Sequence, residues 1–176
     1  RNGRLIIKGK EPLEDYADGS KTCQMKDYPR DNPFWYKKYG KQIQSVVICH
    51  GVSSIGSLAF YKCNNLRSVV LPISVTSIGD WAFQSSGLRS ITIPHSVTSF
   101  GSGIFSSCES LISIIIPNSV ISIGFRAFDG CTALTSILIP ESVTFLKDYA
   151  FKDCFSLKTV SIPKGLKYPS SAFPSG

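Results

Sequence analysis

Motifs that carry chemistry are scarce in this chain. There are two histidines, His50 and His95, and neither belongs to an H-E-x-x-H pair or stands beside an acidic ladder, which argues against a metal-dependent hydrolase. No serine sits in G-x-S-x-G, and neither a P-loop nor a dinucleotide fingerprint occurs. No catalysis, no cofactor and no metal is expected. No apolar run approaches the roughly 18 to 20 residues of a membrane span. The chain opens at Arg1 without an initiator Met or an apolar leader, so a signal peptide, if one exists, lies outside this numbering and export is not shown.

Charge is also a weak lead. The net charge is +7, from nineteen basic and twelve acidic residues, and a basic chain invites an anionic partner. Ten of the basic residues lie within residues 1–45, but Glu11, Glu14, Asp15, Asp18, Asp27 and Asp31 are mixed among them, and no run of five like charges occurs. There is no nucleic-acid reader motif. A solvated basic surface is the expectation, with polyanion or glycan binding as a weaker alternative and no nucleic acid. Apolar content of 43% with charge at 18% is that of a folded chain, not a disordered one.

What is abundant is repetition. Pro72, Pro94, Pro117, Pro140 and Pro163 fall 22, 23, 23 and 23 residues apart, and Phe60, Phe83, Phe105, Phe128 and Phe151 keep the same beat. A period in the twenties means a solenoid. The frame is L-x-S-I-x-I-P-x-S-V-T-S-I-G-x-x-A-F-x-x-C, cleanest at 111–133. Its opening L-x-x-I-x-I sets three apolar side chains on one side of a short strand. The proline removes an N–H and ends the strand. Ser74, Ser96, Ser119 and Ser142 should bond the turn backbone, Val75 and Ile78 and their equivalents should point inward, and Gly56, Gly79, Gly101 and Gly124 should turn with φ > 0. Lys147 breaks that glycine column, so a different bend is expected there. Residues 84–87 are one short of the standard length, and that unit lacks the cysteine.

The run I-P-x-S-V-T-x-I-G-x-x-A-F-x-x-C resembles the BspA-like leucine-rich repeat family. Copies such as Ile93-Pro94-His95-Ser96-Val97-Thr98 and Ile139-Pro140-Glu141-Ser142-Val143-Thr144 carry the likeness over five full units and one partial unit. The fold expected is a β-rich leucine-rich repeat solenoid, with a parallel concave sheet of about six short strands and short turns and helical turns on the convex side. The resemblance implies a secreted or cell-surface binding protein of a host-associated bacterium, with relatives in some parasitic protists, used in adhesion to host or bacterial surface proteins.

Residues 1–42 stand outside the repeat and are expected to cap it, 43–173 to form the repeats, and 174–176 a tail. Such a cap is needed because the first coil otherwise opens one side of the apolar stack and a row of strand amides to water. Gly3, Leu5, Ile7, Gly9, Asp15, Tyr16, Pro33 and Trp35 match the order of elements that precede the first repeat in relatives. The aromatic cluster Phe34, Trp35, Tyr36 and Tyr39 is read as cover for that coil, with a ligand-facing patch as the other use. At the far end, 166–176 leaves the frame with an Ala172-Phe173 echo.

Cys63, Cys108, Cys131 and Cys154 share one repeat position. Intervals of this length make a line of sulfurs, not a tetrahedral site, and a stacking distance of about 4.8 Å exceeds the roughly 3.5 to 4.5 Å between bridged Cβ atoms. Buried free thiols are expected, with disulfides the rival and Cys23 and Cys49 open.

If alternate residues of the inner strand point out, Val47, Val70, Thr92, Ile115, Leu138 and Ser161 form a line on the concave face, beside a hydroxyl row of Ser45, Ser68, Ser90, Ser113, Ser136 and Thr159. The partner-binding candidates are therefore Val47, Ser68, Val70, Ser90, Thr92, Ser113, Ile115, Ser136, Leu138 and Ser161. Two readings of these β-branched residues stand: a binding line, or the preference of parallel strands for such residues. A non-enzymatic protein-interaction module is the leading function. The partner would be a host matrix or cell-surface protein or a bacterial surface component. The alternative is a spacer or scaffold assembling through its C-terminal end.

Overall fold

The structure, a computed structural model, describes residues 40–174 together with the backbone of β1 (Arg4–Ile7) and β2 (Cys23–Gln24). The chain winds as a three-sided parallel solenoid of about five turns, and on two of its sides equivalent short strands pair in broken ladders.

The first side carries the inner strands β3 (Ser45–Ile48) and β5 (Ser68–Val70). It continues through the single bridge Thr92↔Ile115 to β9 (Ser136–Leu138) and β11 (Thr159–Ser161). The second side carries β4 (Val52–Ile55), β6 (Ser77–Ile78), β7 (Ser99–Phe100), β8 (Ser122–Ile123) and β10 (Phe145–Leu146). All pairings are parallel and, apart from a register shift between Cys23 and Gln24 where β2 meets β4, in register, coil on coil, as in Val46↔Val69, Ser54↔Ser77 and Phe100↔Ile123. β1 pairs with β3 through Arg4↔Ser45 to Ile7↔Ile48, and β2 pairs with β4. Two short stretches of the first 42 residues thus add one strand to each ladder ahead of the first repeat.

The third side corrects an expectation. Among the described residues it holds turns, and the only helical piece is a 3-10 turn at Ser170–Ala172. Alternate amides explain why. Those of Leu58, Phe60 and Lys62 donate to the carbonyls of Asp80, Ala82 and Gln84 on the next coil, whereas Ala59, Tyr61 and Cys63 donate three residues back. The same alternation recurs from Trp81, from Gly103 and from Arg126. A helix would turn every amide back along its own axis, so a chain that sends every second one across to its neighbour cannot be helical. The alternation is set by left-handed residues four apart: Leu58 and Lys62, Trp81 and Ser85, Gly103 and Ser107, Arg126 and Gly130, Tyr149 and Asp153, with φ from 54° to 73°.

The repeat glycines therefore serve another purpose than expected. Gly56, Gly79, Gly101 and Gly124 are not among the positive-φ residues. At two of them coils touch: a Cβ on Gly124 would lie 2.6 Å from the carbonyl carbon of Gly101, and one on Gly79 would strike the amide of Ser57. Lys147 keeps the shared bond, its amide donating to Ile123 at 3.0 Å as that of Gly79 does to Ile55 at 2.8 Å. The bend is common to both.

The core is a set of columns. Phe60, Phe83, Phe105, Phe128, Phe151 and Phe173 stack face to face with centroids 5.1 to 5.6 Å apart, so the Ala172-Phe173 echo completes the column. Val75, Ile78, Val97, Val120, Ile123 and Val143 fill the second-side corner. Phe100 takes an isoleucine position and meets Phe105 and Phe128 edge-on. The turn serines tie coils together instead of closing their own turn: Ser74, Ser96, Ser119 and Ser142 donate to Val52, Val75, Val97 and Val120 of the preceding coil at 2.5 to 2.8 Å.

Candidate functional site

The inner strand alternates from β5 to β9, whereas in β11 all three residues, Val160 included, are exposed. In the fourth coil Ile114 and Ile116 are buried while Ile115 between them is 81% exposed. Val70 at 57% and Leu138 at 67% are its counterparts two coils before and one coil after. Register makes them a line, since Val47 pairs with Val70, Thr92 with Ile115, and Leu138 with Ser161. Ser68, Ser90, Thr92, Ser113, Ser136 and Ser161 are exposed as expected. Val47 differs, being half-buried, where β1 sets Ile6 in register beside it.

The hydroxyl row lies alongside, with Ser45 on Ser68 and Ser136 on Thr159. Beyond it the column Arg67, Arg89, Ile112, Thr135 and Lys158 is exposed, so Ile112 widens the apolar line and Arg89 and Lys158 give its border positive charge. That column was overlooked because it has no consensus residue. Its period was nevertheless visible, one place after each repeat leucine.

The thiols do not offer chemistry. Cys63, Cys108, Cys131 and Cys154 are free and buried. The last three donate to the carbonyls of Phe83, Phe105 and Phe128 at 3.1 to 3.2 Å, so each sulfur is turned toward the coil behind it. Burial pushes Cys63 and Cys154 up to about 12 and Cys108 up to about 11, and raises Cys131 well above the ordinary thiol value. A thiol held protonated is a poor nucleophile and a poor ligand. Ser86 fills the column where the cysteine is missing, buried and 3.3 Å from the Cys108 sulfur. Cys49 is free and half-buried, and the side chain of Cys23 lies outside the described residues.

His50 and His95 sit on exposed bends. Among the described residues no three His, Cys, Asp or Glu side chains gather where they could hold a metal, and no helix is long and apolar enough to cross a membrane. The cluster of Phe34, Trp35, Tyr36 and Tyr39 and most of the basic N-terminal stretch lie outside the described residues.

The model of the BspA type leucine rich repeat region matches in six copies, over residues 35–158 and 108–175. The chain belongs to the BspA-type leucine-rich repeat family. Its repeats superpose on those of solved bacterial proteins. One is a leucine-rich repeat protein of T. pallidum, 28% identical with a TM-score of 0.77 over 94% of this chain and 72% of that one. Another, from Eubacterium ventriosum, is 31% identical with a TM-score of 0.75 over 84% of this chain and 39% of that one. A third, a leucine rich cell surface protein of Faecalibacterium prausnitzii, is 31% identical with a TM-score of 0.60 over 90% and 47%. The chain spans less than half the length of these last two. No curated protein matches it. Leucine-rich repeat domains generally bind proteins and are generally not enzymes.

Proposed function

We propose that this chain is a non-enzymatic, adhesin-like binding module on the cell surface or secreted. It would recognise another protein through the concave line Val70, Thr92, Ile115, Leu138 and Ser161 with the hydroxyls of Ser68, Ser90, Ser113 and Ser136 beside it. The observation that carries this reading is the exposure of Ile115, Leu138, Val70 and Ile112, large apolar side chains brought into one strip by the register. Strand propensity accounts for β-branched residues in a strand but does not require the outward ones to be large and apolar, and Leu138 is not β-branched. A strip of this kind, edged by small hydroxyls, is what a partner can cover without stripping water from charge. Residues 1–42 serve as the cap in this reading, supported by the strands β1 and β2 that each ladder gains from them.

Immobilised host matrix proteins and bacterial envelope fractions, probed with the chain and with an Ile115→Lys, Leu138→Lys double variant, test the proposal. Saturable binding by the parent chain that the double variant loses, with melting unchanged, is the expected result. Equal binding by the two would remove the concave strip from the account.

A further inference from the structure

On the turn side, the third coil is built from small residues where its neighbours are large. One column reads Leu58, Trp81, Gly103, Arg126, Tyr149 along the stack, the next Tyr61, Gln84, Ser106, Asp129, Lys152, and another Ser57, Asp80, Ser102, Phe125, Asp148. The third member of each is glycine or serine. The outcome is a notch of about 450 Å³, walled by Leu58, Tyr61, Trp81 and Gln84 on one side and by Phe125, Arg126 and Asp129 on the other, with Ser106 and Ser107 beneath. The Trp81 indole lies across Gly103, where a Cβ would collide with its ring atoms. Missing side-chain bulk therefore lets an aromatic face lie flat in the notch.

The far wall is polar and held in place. The Arg126 guanidinium packs over the rings of Phe125 and Tyr149, 5.2 and 5.5 Å from their centroids. Its Nε is 3.7 Å from a carboxylate oxygen of Asp129, too long for a hydrogen bond, and is shielded from water without a hydrogen-bond partner. A buried, unused donor is costly, and it stands next to a partly desolvated acceptor, since burial raises the Asp129 carboxyl above its ordinary range against the opposing pull of Arg126.

We propose that this notch is a binding site for a neutral carbohydrate. An aromatic face with a donor and an acceptor beside it matches a pyranose ring, which offers an apolar C–H face and a rim of hydroxyls that donate and accept. A peptide is disfavoured because six backbone amides around the notch are already committed: those of Trp81, Phe83, Ser85, Gly103, Phe105 and Ser107 donate to the next coil. A polyanion is disfavoured by Asp129. This site is separate from the concave strip, so the two proposals fail independently.

The test uses the whole chain and trisaccharides of glucose, N-acetylglucosamine, mannose, galactose and xylose, followed by the emission of Trp81 in a Trp35→Phe background. At least one trisaccharide should shift that emission saturably. Asp129→Asn should weaken binding by about tenfold or more, and Trp81→Ala, followed by calorimetry, should abolish it while melting stays cooperative. Ser107→Gln, which narrows the notch from its floor, should also weaken it. Silence from every sugar overturns the site, as does binding that survives Trp81→Ala. Trp81-dependent binding of a heparin fragment or a proline-rich peptide instead of the neutral sugars overturns the ligand class.

Discussion

The strand side and the turn side of the stack are held together differently, and the less regular-looking one is the more continuous. Strand pairing on the first side falls into β1, β3 and β5, a single bridge, and β9 with β11. On the turn side three amides cross each of the four junctions from Leu58 to Lys152, and Tyr149 and Phe151 cross the last. The strand side is therefore free to vary what it shows to solvent, and what it shows is apolar. The turn side holds the coils in register and leaves room for a notch where the third coil supplies glycine and serine.

The largest effect should come from the column that both sides share. Phe105→Ala removes a fully buried ring stacked on Phe83 and Phe128, and should cost about 3 to 5 kcal/mol in urea unfolding. A loss under about 1 kcal/mol would mean the ring column is not the core. Next is Gly124→Ala, whose Cβ would press on the Gly101 backbone. It should cost about 1 to 3 kcal/mol, and a neutral result would remove close approach as the reason for that glycine.

How much of this was legible follows the same division. Period, strand alternation, the phenylalanine column and the free thiols were all readable, because each is a residue type recurring at one position and facing one environment. Helical turns were the wrong expectation because the decision lies in the backbone: Leu58, Lys62, Trp81 and Arg126 share a left-handed φ yet have no residue type in common. The serines were read as local because a sequence shows the near carbonyl and hides the one a coil away. The notch was illegible for the same reason as the Arg89 and Lys158 border. Both lie in columns without a consensus, and a repeat profile discards such columns.

Alkaline titration sharpens the comparison at the thiols. Cys63 and Cys154 are raised to about 12 and Cys108 to about 11, from an ordinary 9.0. Between those values the unfolded chain has lost its thiol protons while the folded chain keeps them, so stability is full below about pH 9 and falls as pH rises toward 12. Cys63→Ala should show a shallower decline than the parent chain, and reducing agent should leave the parent's melting unchanged. Equal slopes for the two would place that thiol in contact with water.

The smallest effect is at the turns. Ser85→Gly relieves a left-handed residue with φ of 54°, worth about 1 to 2 kcal/mol, against about 0.4 to 1 kcal/mol of added freedom in the unfolded chain. The net should be a slight stabilisation. By contrast Ser77→Gly, within β6, should destabilise by about 0.5 to 1 kcal/mol. A loss at both positions would deny the turn side its distinct backbone.

Two neighbouring residues test most directly whether the inner strand divides its work between fold and partner. Ile114 is buried and Ile115 is 81% exposed, so Ile114→Ala and Ile115→Lys should be measured together for unfolding free energy and for binding to a captured surface protein. Ile114→Ala should lose about 2 to 5 kcal/mol of stability and, while still folded, keep its binding. Ile115→Lys should stay within about 0.5 kcal/mol of the parent and lose binding. If Ile115→Lys unfolds the chain, or binds as well as the parent does, the outward line is not the partner surface.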